Sequence, residues 1–233
     1  MKPLVIKNKV GSRLSFTNVG ACLKTWHIHT KKNKKIDIVL GYKNESLYLS
    51  NPLYLGSTVG RYANRIKNGT FNLNGNTITL PQNENNHHLH GGYKGFSSKV
   101  WDISDHSSNK IIFALHSLDL EENYPSSLNT RVSYKITDNN ELIINFNAEA
   151  EDDTVLNLTH HSYFNLNGVN GGNILNHKLK IFSDSITEID HDLIPTGKFL
   201  DVNDTSLDFR DSIMIGERIN SNFYQMKHSN GYD

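Results

Sequence analysis

Two histidine-rich stretches carry the side chains best suited to moving protons near neutral pH. "HHLHGG" (87–92) puts three histidines and two glycines into six residues, and "NLTHHSYFNL" (157–166) holds two adjacent histidines. Such clusters serve metal binding, proton transfer or simple solvation. A metal site needs several His, Cys or carboxylate groups converging at bond length. An extended "HHLH" puts His88 and His90 on one face and His87 on the other. The sequence has no C-x-x-C and no H-E-x-x-H to strengthen a metal reading, so no metal is assigned. Gly91-Gly92 suits a turn or a close backbone approach to a ligand. A further H-x-H, "WHIH" (26–29), has the same spacing and is read as structural.

The second cluster reads as a strand over 155–166, with side chains alternating between faces. One face carries Leu156, Leu158, His160, Ser162, Phe164 and Leu166, and is expected to meet the core. The other carries Val155, Asn157, Thr159, His161, Tyr163 and Asn165, a polar stripe suited to a binding groove. His161 is therefore the functional candidate and His160 a hydrogen-bonded core or edge histidine. A merely solvated strand face is the competing reading of the same stripe. "GRYANRIKNGTF" (60–71) sets Arg61 and Arg65 around Asn64. Arg65 has the donors to hold hydroxyls or a carboxylate, although the local pattern alone favours an arginine capping a loop.

The elements that must position these residues are strands. In "TFNLNGNTITL" (70–80), Phe71 and Leu73 alternate with polar residues, and Ile78 and Leu80 alternate on the return. Asn74-Gly75 between them tolerates the positive φ values of a type I′ hairpin turn. "TRVSYKITDNNELIINFNAEA" (130–150) repeats the pattern around "DNNE", and 110–120 and 177–190 are further strands. Helical periodicity is scarce, and a short helix is expected only in 211–222. Many short strands between Asn, Gly and Asp turns predict an all-β antiparallel sandwich or barrel. No Pro-, Gly- or Ser-rich linker divides the chain, so 1–233 is read as a single domain.

Bulk properties narrow the partners. The 233 residues hold 24 Lys and Arg against 24 Asp and Glu, which gives no general electrostatic reason to expect nucleic acid or an anionic membrane surface. The single cysteine, Cys22, excludes an intramolecular disulfide. The N-terminus lacks the apolar core of a signal peptide, and no apolar run reaches membrane-spanning length. A soluble, cytoplasmic protein is the expectation.

Taken together, "GSTVGRYANRIKNGTFNLNG", "NHHLHGGYKGFSSKVW", "NLTHHSYFNLNG", "LIPTGKF", "LDFRDSIMIG" and the terminal "GYD" resemble the aldose 1-epimerase (galactose mutarotase) family. The stretches occur in the family's order and run from the first third of the chain to its last residue. The resemblance implies a large antiparallel β-sandwich, the galactose mutarotase-like supersandwich, with a sugar groove on one face. It implies an isomerase of small aldose sugars that needs no metal, nucleotide or redox cofactor. By position, His161 matches the acid that protonates the sugar ring oxygen, and His90 the histidine beside that oxygen. Asn64, Arg65 and Asp233 match residues that hold sugar hydroxyls, and Tyr163 is carried as a further substrate contact.

The resemblance also implies a catalytic glutamate well downstream of "GYD", whereas this sequence stops at Asp233 within that motif. Neither Glu188 nor Glu217 occupies a matching position. The expectation is an incomplete aldose 1-epimerase domain lacking its C-terminal strands. A noncatalytic sugar-binding module of the same fold is the alternative.

Overall fold

The computed structural model describes residues 3–232. It is built almost wholly of strands, in agreement with the alternation read above. Contacts group the chain into two compact units, 1–170 and 171–233.

The first unit opens with an antiparallel sheet of β1 (Leu4–Lys7), β2 (Arg13–Thr17), β3 (Cys22–His29) and β4 (Lys35–Asp37), paired in that order. Short pieces follow: β5 (Thr58–Val59), β6 (Arg65–Ile66), β7 (Thr70–Leu73), β8 (Asn76–Thr79) and β9 (His88–Leu89). A second four-stranded antiparallel sheet holds β10 (Asp102–His106), β11 (Lys110–Ser117), β12 (Leu128–Ile136) and β13 (Leu142–Ala150). The two-residue strand β14 (Thr159–His160) returns to pair with β5.

The expected hairpins form. Phe71 faces Ile78 across β7 and β8, and Asn74 (φ 51°) and Gly75 (φ 80°) both take the positive φ of a type I′ turn. β12 and β13 pair from Leu128↔Ala150 to Ile136↔Leu142. The alternation of β12 puts Leu128, Val132, Tyr134 and Ile136 into the core. There they meet Ile6, Leu14, Phe16 and Leu23 of the first sheet. The Phe16 ring lies 4.9 Å from that of Tyr134 and 6.1 Å from that of Phe113. Each such fully buried apolar side chain stabilises the sandwich by roughly 1.5–3 kcal/mol. This interlock makes a firm base for the short strands that carry the candidate histidines.

The second unit contains β15 (Lys178–Leu179), β16 (Ser185–Ile189), β17 (Pro195–Asp201), β18 (Ile213–Met214) and α1 (Tyr224–Ser229). β16 pairs with β17 and β15 with β18. Two expectations change here. The strand read over 177–190 is interrupted, because β15 and β16 pair with different partners. The helix expected in 211–222 is instead β18 followed by a three-residue 3₁₀ turn, Ile215–Glu217. The α-helix lies just beyond it, where Asn230 in the left-handed region (φ 55°) ends α1. No helix among the described residues is long and apolar enough to cross a membrane.

Candidate active site

Four rings meet where the turn before β5, the end of β9 and the end of β14 come together. The imidazoles of His90 and His161 lie 5.4 Å apart, nearly perpendicular. Tyr54 lies 4.7 Å from the His90 ring and 5.7 Å from the His161 ring, and Tyr163 lies 5.2 Å from His161. The residues come from sequence positions 54, 90, 161 and 163, so only the tertiary fold brings them together.

His161 is held by an extension of the β5–β14 ladder. Its backbone N–H donates to Ser57 O (2.9 Å), and Gly56 N–H donates to His161 O (3.0 Å). Gly56 has φ +65° and lies so close to β3 that a Cβ there would sit 2.0 Å from Leu23 O. The segment 155–166 is a paired strand only at Thr159–His160, with isolated bridges from Asn157 to Tyr62 and from Phe164 to Val39. The alternation therefore holds near the histidines and fails at the ends. Leu158 packs on the core, whereas Leu156, Phe164 and Leu166 are exposed.

His160 behaves as a hydrogen-bonded inner histidine. The Tyr134 hydroxyl donates to Ala21 O (2.9 Å), which leaves its oxygen to accept from His160 Nδ1 (3.3 Å). His160 Nε2 then accepts from the Ser162 hydroxyl (2.7 Å). Burial, reinforced by the neighbouring His161, pulls the His160 pKa down to about 4.

His90 is placed by the antiparallel pairing of β6 and β9, Arg65↔Leu89 and Ile66↔His88. His90 N–H donates to Asn64 O (3.1 Å), and Asn64 N–H donates to His90 Nδ1 (2.9 Å). An accepting Nδ1 puts the proton of the neutral ring on Nε2. Burial first, then His161 and Arg65, lower the His90 pKa to about 4, against the opposing field of Glu84. Burial also lowers His161. Both imidazoles are thus neutral near pH 7.

The shared face expected for His88 and His90 does not form, because His90 adopts φ 54° and leaves the strand alternation. His88 is fully buried, with Nδ1 donating to Pro81 O and Nε2 accepting from the Tyr124 hydroxyl, each at 2.7 Å. His87 is also buried, and its Nδ1 accepts from Asn68 N–H. The Nδ1 atoms of these three histidines thus each take a different partner, Asn68, Pro81 and Asn64. The described residues that do bring three potential ligands together, Asp190, His191 and Asp192, lie in the second unit, with His191 and Asp192 exposed.

Arg65 is mostly buried and forms a two-pronged ion pair. Its Nε donates to Glu84 Oε2 (2.6 Å) and its Nη2 to Glu84 Oε1 (2.8 Å). Asn64 is exposed at φ 66°, with Oδ1 accepting from Arg65 N–H (2.8 Å), so its amide NH₂ is the group left to donate. Tyr163 is 44% exposed, open enough to touch a ligand. Asp233 lies outside the described residues. The other arginine of "GRYANRI", Arg61, is 2% exposed and spends its donors on the segment 117–126.

The model of the aldose 1-epimerase family matches residues 2–233. This chain belongs to the aldose 1-epimerase family. It is 35% identical to the aldose 1-epimerase of Haemophilus influenzae over 233 residues, covering 99% of this chain and 66% of that protein. It is 37% identical to the galactose mutarotase of Sus scrofa over 221 residues, covering 95% of this chain and 63% of that protein. The chain therefore spans somewhat less than two thirds of the length of these curated relatives. Its fold matches a crystal structure of an aldose epimerase homologue from C. elegans with TM-score 0.89 at 31% identity, covering 94% of this chain and 66% of that one. It matches a galactose 1-epimerase from Lactobacillus acidophilus NCFM with TM-score 0.88 at 28% identity, covering 98% and 67%.

Two residues of this aldose 1-epimerase chain join the site without a sequence signal. Tyr54 sits in "NPLYLGS" with φ 55°, in the left-handed region where a tyrosine is strained by about 1–2 kcal/mol. Strain of this kind concentrates at functional sites. Glu84 sits in "NENN" and meets Arg65 only because β6 and β9 pair.

Proposed function

We propose that this protein interconverts the α and β anomers of a neutral aldohexose such as galactose or glucose. The observation that carries the reading is the meeting of His90 and His161 from distant parts of the chain, beside Asn64 and Arg65. In this assignment the small imidazolium fraction of His161 protonates the ring oxygen as the C1–O5 bond breaks, and a second group takes the anomeric hydroxyl proton. The aldehyde turns about C1–C2, and the ring closes on its other face with the proton roles reversed. We assign no residue of this chain to the second group.

His90, with its proton on Nε2, is suited to hydrogen-bond the ring oxygen beside His161. Asn64 and Arg65 hold hydroxyls, which demand directional donors and acceptors. Tyr163 packs against the sugar next to the acid. Each positioned acid or base contributes about 10²–10⁴ in rate. The chemistry calls for no metal or redox cofactor, and the proposed partner is the sugar itself, in the cytoplasm.

The test is anomer exchange of α-galactose, followed by polarimetry and by NMR exchange spectroscopy, with and without the protein. Acceleration over buffer supports the reading. Galactose binding with exchange no faster than in buffer replaces it with sugar binding alone. Neither binding nor acceleration removes the sugar assignment.

A further inference from the structure

We infer that Glu84 is a specificity-determining residue: by pairing with Arg65 it makes the site select neutral sugars and reject sugars that carry a carboxylate. The inference rests on the sugar-site reading above and concerns which sugars that site admits.

A guanidinium beside a sugar pocket is by default an anion receptor. Its planar fork matches a carboxylate and binds it by two parallel hydrogen bonds. Arg65 already makes that contact within the protein, through Nε to Glu84 Oε2 at 2.6 Å and Nη2 to Glu84 Oε1 at 2.8 Å. The Arg65 side chain is only 13% exposed and that of Glu84 28%, so the pair is largely withdrawn from water. Solvent screening is weak there, and the carboxylate compensates the positive charge locally.

Glu84 is held in place by its backbone. Its N–H donates to His87 O (3.1 Å), and His87 N–H donates to Glu84 O (2.8 Å), closing the turn that leads into β9. The adjacent Asn83 fastens the same turn to the strand, with Oδ1 accepting from Leu89 N–H (2.8 Å) and Nδ2 donating to Leu89 O (2.9 Å). Glu84 therefore meets Arg65 across the β6–β9 pair as a built partner. The field of Glu84 also reaches the rings of Tyr54 and His90.

Of the five N–H donors of Arg65, two are taken and three remain. Three donors are ample for sugar hydroxyls, which need direction and no net charge. A uronate differs: its carboxylate gains little from a compensated guanidinium, is repelled by Glu84, and must shed its hydration. Selectivity thus comes from the cost imposed on the wrong ligand as much as from contacts to the right one.

The experiment is calorimetric titration of the protein and of its Glu84→Gln variant with galactose and with galacturonate. Glutamine keeps one acceptor for Arg65 and removes the charge. The wild type is expected to bind galactose at least about tenfold more tightly than galacturonate, and Glu84→Gln to shrink that ratio at least about tenfold. Glu84→Asp retains the charge and is expected to keep rejecting galacturonate. A wild type that binds both sugars equally, an unchanged ratio in Glu84→Gln, or galacturonate accepted by Glu84→Asp overturns the role of Glu84. A wild type that binds neither sugar overturns the sugar-site reading instead.

Discussion

His90 and His161 meet edge to face, ring centroids 5.4 Å apart and planes at 89°, with His90 Nδ1 already accepting from the Asn64 amide. Two histidines this close cannot both be charged at little cost, and burial depresses each. The expected outcome at pH 7 is two neutral rings, with His90 as the Nε2–H tautomer. Nitrogen-15 NMR of the imidazoles checks this directly. A protonated Nδ1 on His90, or a titration midpoint at 6.5 or above for either ring, contradicts the assignment.

The same depression has a consequence for stability. His90 and His160 titrate near 4 in the folded chain, against the ordinary 6.5 of an unfolded one. Between those values the unfolded chain binds more protons, so stability rises with pH across this window and levels off above it. Thermal melts should show a midpoint that falls as pH drops from 6.5 towards 4 and changes little between 7 and 8. A midpoint independent of pH below 6.5 counts against buried neutral histidines.

The adjacent histidines 160 and 161 should separate chemistry from folding. His161→Ala is expected to lower anomer exchange by about 10²–10⁴ while leaving the melting temperature nearly unchanged. His160→Ala removes the link between Tyr134 and Ser162 and should destabilise by about 1–3 kcal/mol. Polarimetry and urea denaturation on both variants decide the matter. Equal catalytic losses in two equally stable variants would remove the distinction.

The placement of His160 against Tyr134 and of His161 against His90 was legible in the sequence, because period-two alternation assigns neighbours in a strand to opposite faces. The legibility has a physical limit. Alternation separated His160 from His161, where β14 is a true ladder, but it misassigned His88 and His90, where a positive φ intervenes. Leu156, Phe164 and Leu166 were expected inside and are exposed, since the segment leaves β5 and picks up Val39 instead. The hairpin at Asn74-Gly75 was readable from two residues, because its geometry is set locally. Tyr54 and Glu84 were not readable, because their roles exist only once β5 meets β14 and β6 meets β9.

Gly91 shows how tightly the His90 loop is seated. Its φ is +87°, and a Cβ there would fall 1.8 Å from Gly60 O. Gly91→Ala must therefore move the backbone that carries His90 or the segment leading to Arg61. The left-handed strain alone costs about 1–3 kcal/mol, and the collision adds to it. We expect a loss of at least about 2 kcal/mol in urea denaturation. The His90 and His161 NMR signals should move together. A variant with unchanged stability and unchanged imidazole shifts would mean the loop is not seated in this way.

Arg61 fastens the segment that faces the end of that loop. Its Nε and Nη2 reach Ser117 Oγ (3.1 and 2.9 Å), Nη1 donates to Pro125 O (3.0 Å) and Ser126 O (2.7 Å), and Nη2 also donates to Leu118 O (2.8 Å). The segment so fastened presents Glu122, whose carboxylate accepts from Tyr93 N–H (3.1 Å) and Lys94 N–H (2.9 Å), directly after "HHLHGG". Arg61→Met keeps the bulk and removes every donor, leaving buried acceptors unpaired. Leaving a buried acceptor unpaired costs about 1–3 kcal/mol, and several are involved. Lysine, with a single ammonium in place of the fork, cannot reach these acceptors together, so Arg61→Lys should recover only part of the loss. The effect should also travel. Amide hydrogen exchange in 91–94 is expected to quicken in Arg61→Met, because Glu122 loses its fixed position while Arg65 and His161 keep theirs. Unaltered exchange in 91–94 alongside the expected destabilisation would confine Arg61 to the core and detach it from the site.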